Sequence, residues 1–190
     1  RFRVADVMAQ TKNGPGAARN NYMAELVAER LTGEVAAGFS NAAMQWGTDQ
    51  EPQARALYEF TTDASVAEVG FIDHPLIQMA GCSPDGLVGE AGMVEIKCPN
   101  TATHLDTLLS GGIDGKYLKQ MQFQMACAGR DWCDFVSYDP RLPPEMQIWT
   151  QRVERDGATV REIEDAVSAF LAELAEKVDA LRAKYGEAAA

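Results

Sequence analysis

Apolar residues recur along the chain at two different intervals, and the changes of interval predict the order of its secondary-structure elements. Spacings of three and four predict helices over residues 17–33, 41–60, 103–109, 117–128 and 159–185. Short runs of strand-forming residues predict strands over residues 66–72, 77–80, 93–97, 134–138 and 147–153. Proline-containing turn signals separate these strands at residues 73–75, 83–86 and 139–144. This order predicts an α/β fold, with a central mixed β-sheet flanked by α-helices.

Two of the predicted helices indicate which side faces the core. In the helix over residues 41–60, Met44, Leu57 and Tyr58 are expected to point inward. The C-terminal helix carries a longer apolar stripe, formed by Ile163, Val167, Phe170, Leu171, Leu174, Val178 and Leu181. A stripe of this length predicts a long amphipathic helix with one side against the core.

Length and composition limit the number of domains and the cellular setting. With 190 residues, 46% of them hydrophobic, the chain is long enough for one domain with a sizeable core, so a single domain over residues 1–190 is expected. No apolar run approaches the roughly 20 residues that cross a bilayer, and the start of the chain lacks the apolar segment of a signal peptide. A cytoplasmic protein with no membrane partner is therefore expected.

The four cysteines and the net charge exclude several classes of site. Cys82, Cys98, Cys127 and Cys133 form no CxxC pair, so buried thiols are expected rather than a zinc site or disulfides. The chain has 17 basic and 28 acidic residues, for a net charge of −11. Nonspecific binding to polyanions depends on lysine and arginine, so this charge argues against it. Any role on nucleic acid must work through a local site or a metal ion.

One such local site is suggested by residues 83–98, which read SPDGLVGEAGMVEIKC. Glu95 and Lys97 lie two residues apart, so they share one face of the predicted strand, and Asp85 lies at the end of the preceding segment. Charge in an apolar strand is costly unless it is paired or binds a metal. The two carboxylates and the main-chain carbonyl of Ile96 would supply the oxygen ligands that Mg²⁺ prefers. Lys97 would then orient or deprotonate a water for hydrolysis of a phosphodiester.

Simpler interpretations of the same residues remain open. Asp85 also fits a turn-capping residue before glycine, and Glu95 with Lys97 fits a surface ion pair on an edge strand. Glu51 and Arg55 are four residues apart, as in an ordinary ion pair on a helix surface. A polar stripe that includes Gln120 and Gln124 on the predicted helix over residues 117–128 fits either a site or a solvated surface.

Four segments in order resemble one enzyme superfamily. The segment SPDGLVGEAGMVEIKCP is similar to the core motif of the PD-(D/E)xK nucleases, and especially of the lambda-type viral recombination exonucleases. Residues 45–55, QWGTDQEPQAR, resemble the family helix that begins with WG and carries a glutamate into the site. Residues 117–122, YLKQMQ, and 135–141, FVSYDPR, resemble two further family motifs. The resemblance implies a restriction-endonuclease-like fold.

The resemblance also implies roles for individual residues. Asp85 and Glu95 would be metal ligands together with the Ile96 carbonyl, and Lys97 would be the catalytic lysine. Glu51 would contact the ligands of that metal ion without binding it directly, or would bind a second metal ion. Gln120 would contact the nucleophile or the scissile phosphate.

Around the 5′-phosphate of the DNA the resemblance is less complete. Ser83 matches a family serine that contacts this phosphate, and Tyr117 lies in a motif that faces the site. The basic residue that follows the lysine strand in the family is replaced here, and His104 is the nearest candidate to compensate. An arginine and a Gly-x-x-x-Ala-Ser segment of the family are not found, so either they lie before Arg1 or the pocket is built differently.

The function implied by the resemblance is a Mg²⁺-dependent 5′-to-3′ exonuclease, with Mn²⁺ as a substitute ion. It would act on double-stranded DNA ends and leave 3′ single-stranded overhangs for recombination by strand annealing. A homotrimeric ring, a single-strand annealing protein as partner, and a phage or prophage origin in a bacterial host are implied as well. Two alternatives remain: another PD-(D/E)xK nuclease, acting as an endonuclease or on single strands, and a non-catalytic protein that binds DNA ends.

Overall fold

The computed structural model of the chain describes residues 2–35 and 41–186. Its helices are α1 (Val4–Val7), α2 (Ala17–Thr32), α3 (Ala42–Thr62), α4 (Thr101–Ser110), α5 (Gly115–Ala128) and α6 (Gly157–Tyr185). Its strands are β1 (Gln10–Thr11), β2 (Gly14–Pro15), β3 (Val66–Ala67), β4 (Ile72–Asp73), β5 (Gly81–Cys82), β6 (Gly86–Val88), β7 (Gly92–Lys97), β8 (Trp132–Tyr138) and β9 (Ile148–Glu154). None of the helices in these two ranges is both long and apolar enough to cross a bilayer.

The central sheet has five strands in the order β3-β6-β7-β8-β9. Strands β7 and β8 run parallel, and the other neighbouring pairs are antiparallel. The parallel pair requires a crossover, which α4 and α5 provide. The predicted α/β fold with a central mixed sheet and flanking helices is therefore confirmed, and β7 lies in the interior of the sheet.

Each face of β7 packs against a different helix. Val94 and Ile96 are buried on one face with Ala54 and Tyr58 of α3. Met93 is buried on the other face with Met121 and Met125 of α5. Because side chains alternate along a strand, Glu95 and Lys97 share the α5 face with Met93.

A second core forms where α6 packs with α1 and α2 around α5. The predicted apolar stripe of α6 lies in this core, where five of its members are buried: Ile163, Val167, Phe170, Leu174 and Val178. They surround Phe123 and Cys127 on the outer side of α5. Helix α5 is thus buried on two sides, which fixes its position over β7.

Several predicted boundaries were wrong in the region before the site. The run predicted as one strand over residues 66–72 is divided between β3 and β4, and β6 lies where the sequence predicted only a turn. The predicted strand over residues 77–80 is a turn. There the main-chain N–H groups of Leu76 and Ile77 donate to Nδ1 of His74 instead of to a neighbouring strand. Helix α1 and the hairpin of β1 and β2 were not predicted at all.

The inward side of α3 was predicted correctly at Tyr58, which is 1% exposed, but not at Met44, which is 54% exposed. The first turns of α3 extend past the sheet, so only the second half of the helix packs on it. Asn41 caps α3, since its side chain accepts from the N–H of Met44 at 2.9 Å.

Gly86, the glycine of the Pro-Asp-Gly turn, is required for close packing. A Cβ at this position would overlap Cγ1 of Val66 on β3, and its φ is not in the left-handed region. Gly86→Ala is therefore expected to lower the free energy of unfolding by about 1–3 kcal/mol, because β3 and β6 must separate. Chemical denaturation measures this loss. Gly70→Ala, which meets open space, is the matched control, and equal stability of both variants would contradict the packing argument.

Candidate active site

The site is built around Glu95, whose carboxylate is completely buried. Glu95 is 0% exposed and lies on β7, an interior strand of the sheet. The interpretation of Glu95 and Lys97 as a surface pair on an edge strand is therefore wrong. A buried carboxylate is tolerated only when it is paired and hydrogen-bonded.

Three side chains donate hydrogen bonds to the Glu95 carboxylate. Lys97 Nζ and Gln120 Nε2 donate to Oε1, and Gln124 Nε2 donates to Oε2 at 2.8 Å. Gln120 and Gln124 lie one turn apart on the side of α5 that faces β7. The polar stripe on this helix therefore belongs to the site rather than to a solvated surface.

Asp85 lies beside Glu95 because of the register between β6 and β7. Gly86 pairs with Val94 in this antiparallel pair, so the next position outward places Asp85 opposite Glu95. Oδ2 of Asp85 accepts from the N–H of Ile96 at 2.8 Å and lies 3.8 Å from Lys97 Nζ. The spacing of Asp85 and Glu95 in the sequence is thus the length of a tight hairpin.

Asp85 has an unusual protonation equilibrium. Burial and the negative charge of Glu95 raise the pKa of Asp85 to about 6, against the opposing effects of Lys97 and the Ile96 N–H. Two carboxylates that repel each other at a buried position are stabilised by an added cation. One positive side chain, Lys97, already lies between them, and its Nζ also donates to the Ile96 carbonyl at 3.1 Å.

Asp85, Ile96 and Lys97 form the floor of an open cavity of about 460 Å³, and Glu95 is buried behind Lys97 without lining the cavity itself. The cavity is lined by Asn41, Ala43, Met44, Gly47, Thr48, Glu51, Asp85, Ile96, Lys97, Cys98, Pro99 and Tyr117. Its wall is formed by the first turns of α3, and Tyr117 lies at the start of α5. Asp85 and Lys97 are therefore accessible from one end of the sheet.

Glu51 forms the predicted ion pair with Arg55 and also lines this cavity, and its role at a metal ion stays a prediction. Oε1 of Glu51 accepts from Nη2 of Arg55 at 2.7 Å. Arg55 also contacts Glu68 at 2.7 Å and the main-chain carbonyl of Asp85 at 3.4 Å. Its side chain is only 11% exposed, so it is a buried link between α3 and the strand that carries Asp85.

The oxygen atoms around the cavity floor are of the chemical type that a hard divalent cation binds. Asp85 and Glu95 supply two carboxylates, and the Ile96 carbonyl is adjacent. Within residues 2–35 and 41–186, no three His, Cys, Asp or Glu side chains come close enough to hold a metal ion by themselves. The ion that fits this set is one that keeps several waters, as Mg²⁺ does.

A comparison with known protein families identifies the chain. A sequence profile of the YqaJ-like viral recombinase domain matches residues 3–131. The chain belongs to this family. No curated protein matches it significantly.

Solved structures agree with membership in the YqaJ-like family. The alkaline exonuclease LHK-Exo from Laribacter hongkongensis is 57% identical, with a TM-score of 0.91, over 98% of this chain and 92% of that chain. A second structure of LHK-Exo, with the same similarity, contains dAMP. A phage-related exonuclease from Haemophilus somnus 129PT is 17% identical over 95% of this chain and 96% of that chain; its TM-score of 0.74 shows the shared fold. The resemblance to viral recombination exonucleases is thereby confirmed, and so is a fold of the restriction-endonuclease type.

Of the three residues considered for the 5′-phosphate in this YqaJ-like chain, His104 is placed wrongly for that role. It is 0% exposed, and its ring nitrogens contact Ser137 Oγ at 2.7 Å and the Met146 carbonyl at 2.8 Å. Both polar atoms are therefore used to join α4 to β8 and the loop before β9. Tyr117 lines the cavity, and Ser83 is half-buried two residues before Asp85.

The YDPR motif of this YqaJ-like chain holds the cavity wall in place. Asp139 pairs with Arg141 through two hydrogen bonds of 2.7 and 2.9 Å, and the Arg141 guanidinium lies 4.6 Å from the centre of the Trp46 ring on α3. Arg141 also donates to the Pro99 carbonyl at 3.2 Å. Burial alone would raise the pKa of Asp139, but hydrogen bonds and the Arg141 charge outweigh it and lower the pKa to about 2.

The cysteines are buried thiols, as the sequence predicted. All four are buried, and none of them forms a disulfide. Cys98 lines the cavity, but burial and the negative charge of Glu51 raise its pKa to about 12. A thiol that stays protonated is a poor metal ligand, so Cys98 is not equipped to bind zinc.

Proposed function

We propose that this protein is a Mg²⁺-dependent exonuclease that degrades one strand of a DNA duplex from its 5′ end and leaves a 3′ single-stranded overhang for recombination. The observation that carries the proposal is the cluster in which Asp85 and Lys97 line an open cavity and the buried carboxylate of Glu95 contacts Lys97 behind them. The alkaline exonuclease activity named for a relative of 57% identity supports it. The buried cluster argues against a non-catalytic DNA-end-binding protein, because such a protein has no physical need for converging buried charges.

The chemistry follows from the positions of the charged groups. Asp85, Glu95 and the Ile96 carbonyl would hold the ion, with Glu51 on the wall for a second ion or a bound water. When bound, Mg²⁺ supplies charge stabilisation of the scissile phosphate and a more acidic water, and Mn²⁺ substitutes for it. Lys97 orients the attacking water at Nζ or, as the neutral amine, takes the proton that the water loses. Gln120 faces the same water or the phosphate, and Ser83 and Tyr117 contact the DNA near its 5′-phosphate.

Polarity is tested with linear duplexes labelled on a single end. A 5′ label is expected to leave at once as a mononucleotide, and a 3′ label on the same strand is expected to remain on a long product. Closed circular duplex is the control and is expected to stay intact. Cleavage of the circle would identify an endonuclease, and early release of the 3′ label would reverse the proposed direction.

Net charge supports a further part of the proposal, a homotrimeric ring around the DNA. A protein with a net charge of −11 is repelled by DNA, yet an exonuclease must stay attached through many turnovers. A closed ring stays on the duplex with only its channel positive, and cyclic symmetry is common among identical chains. Sedimentation equilibrium is expected to return three times the 20.7 kDa chain mass. A monomer whose digestion stops when competitor DNA is added would contradict the ring.

A single-strand annealing protein is the proposed partner, because the 3′ overhang is its substrate. Its binding is tested by co-sedimentation of the two purified proteins. The expected result is a complex that forms without DNA.

Arg55 is expected to influence activity through Glu51 and Asp85. Arg55→Lys keeps the charge but loses the planar fork that reaches both residues, so hydrolysis should fall by about 10–100-fold with little loss of stability. Steady-state hydrolysis and a denaturation midpoint measure the two effects. Glu68→Gln removes only the exposed partner of Arg55 and is the matched control. Full activity of Arg55→Lys would show that the fork is not needed.

A further inference from the structure

Gln124 has no place in the motif YLKQMQ, which ends at Gln122, yet it contacts the central carboxylate of the site. We propose that Gln124 is a positioning residue for Glu95, holding the carboxylate in the orientation in which it binds the metal ion. The inference rests on the proposed function and adds a residue to it. It follows from three properties of Gln124: its contact, its burial and its neighbours.

The direction of the contact is fixed by chemistry. An ionised carboxylate only accepts hydrogen bonds, so the Gln124 amide must present its N–H to Oε2 of Glu95, at 2.8 Å. Among the described residues, Oε1 of Gln124 has no hydrogen-bond partner. Within residues 2–35 and 41–186, the contact with Glu95 is therefore the hydrogen bond through which this side chain is held.

Gln120 and Gln124 of α5 have different roles. Gln120 and Gln124 donate to different oxygens of Glu95, and together they resist rotation of the carboxylate about its last bond. Gln120 is half-buried and borders a second cavity of about 250 Å³, formed with residues 2–6. The Gln120 side chain is therefore partly open to solvent at this second cavity. Gln124 is 1% exposed, so its contact with Glu95 is shielded from water.

The neighbours of Gln124 argue against a packing role. Met121 and Met125 on the same helix are fully buried and fill the space against β7 with apolar atoms. An amide in this position leaves a buried oxygen unsatisfied, which costs about 1–3 kcal/mol and which a methionine would avoid. A glutamine is therefore explained by its N–H on Glu95 rather than by its volume.

Gln124→Met keeps the length of the side chain and removes the donor, so it isolates the contact. Mg²⁺ titration calorimetry of the whole protein is expected to show about 10–100-fold weaker binding, with turnover restored to within a few-fold at saturating Mg²⁺. The matched control is Gln122→Met. Gln122 is buried on the same helix, but it donates to the Glu154 carbonyl and accepts from the N–H of Asp156. This control is expected to lose stability and keep the Mg²⁺ affinity of the wild type.

Equal Mg²⁺ affinity in Gln124→Met and the wild type would overturn the inference. If the wild type itself does not bind Mg²⁺, the proposed function fails, and a crystal structure of Gln124→Met without metal then decides about Gln124. A rotated Glu95 carboxylate supports positioning, and an unmoved one overturns it. If Gln124→Met does not fold, Gln124→Asn, which is one methylene too short to reach Oε2, replaces it in both measurements with the same expected results.

Discussion

Replacing Lys97 by methionine is expected to reduce DNA hydrolysis by about 10²–10⁴-fold while Mg²⁺ binding stays at least as tight as in the wild type. The loss follows because Lys97 is the nearest side chain able to orient the attacking water or, as the neutral amine, to take its proton. The retained affinity follows because Lys97 is not a metal ligand and its positive charge opposes a cation between Asp85 and Glu95. Initial rates on duplex DNA and Mg²⁺ calorimetry measure the two effects separately.

The informative control for Lys97→Met is Glu95→Gln. This substitution replaces a proposed carboxylate ligand by an amide of nearly the same shape. This variant is expected to lose Mg²⁺ affinity and hydrolysis together, since the neutral amide is a weaker ligand. If Lys97→Met and Glu95→Gln have the same metal affinity, the separate roles of lysine and carboxylate are wrong. Full nuclease activity of Glu95→Gln would remove Glu95 from the mechanism.

Asp85→Asn is expected to make the metal-free protein more stable at pH 8, although it inactivates the site. The pKa of Asp85 rises on folding from 3.8 to about 6, so the folded state holds this proton more tightly than the unfolded state does. The stability linked to that proton is fully present below about pH 4 and is lost as the pH rises through 6. At 1.36 kcal/mol for each pKa unit, the wild type loses on the order of 2–3 kcal/mol that the asparagine variant keeps.

Urea denaturation at pH 4 and pH 8 in the presence of EDTA measures this difference. Asp139→Asn is the control of opposite sign, because the pKa of Asp139 is lowered to about 2 and its charge stabilises the fold at pH 4 and above. Asp85→Asn should gain stability relative to the wild type only at pH 8, whereas Asp139→Asn should lose stability at both pH values, because Asp139 is already ionised in the folded state at pH 4. An Asp85→Asn variant that is less stable than the wild type at pH 8 would refute the argument.

The sequence was most informative where a single element determines the outcome. The apolar spacing of α6 and α3 predicted those helices to within about two residues at each end, because this spacing can be read within one segment. The two-residue spacing of Glu95 and Lys97 predicted their shared face for the same reason. Residues 77–80 were assigned to a strand because their composition is apolar, whereas the ring of His74 captures the nearby main-chain N–H groups and turns the chain.

The remainder of the site depends on distances between elements, which one sequence does not specify. Gln124 and Arg55 have ordinary positions in their helices, and their contacts exist only because α5 and α3 cover opposite faces of β7. The spacing of Gln120 and Gln124 is a partial signal, since two amides one turn apart between buried methionines are unusual. His104 is buried and cannot contact DNA because α4 packs against β8. The local sequence does not indicate this packing either.

The two sides of the cavity differ in how firmly the fold holds them. The floor belongs to β7, where residues 95–97 pair with β8 on one edge and the N–H of Ile96 donates to the Asp85 carboxylate on the other, so its main-chain amides are held on both sides. The wall is the first part of α3, whose residues 41–45 are all exposed. Amide hydrogens on the floor are thus among the last to exchange with solvent, and those of the wall exchange through local fraying. Movement of the wall can therefore make room for a bound group while the carboxylates of Asp85 and Glu95 keep their positions.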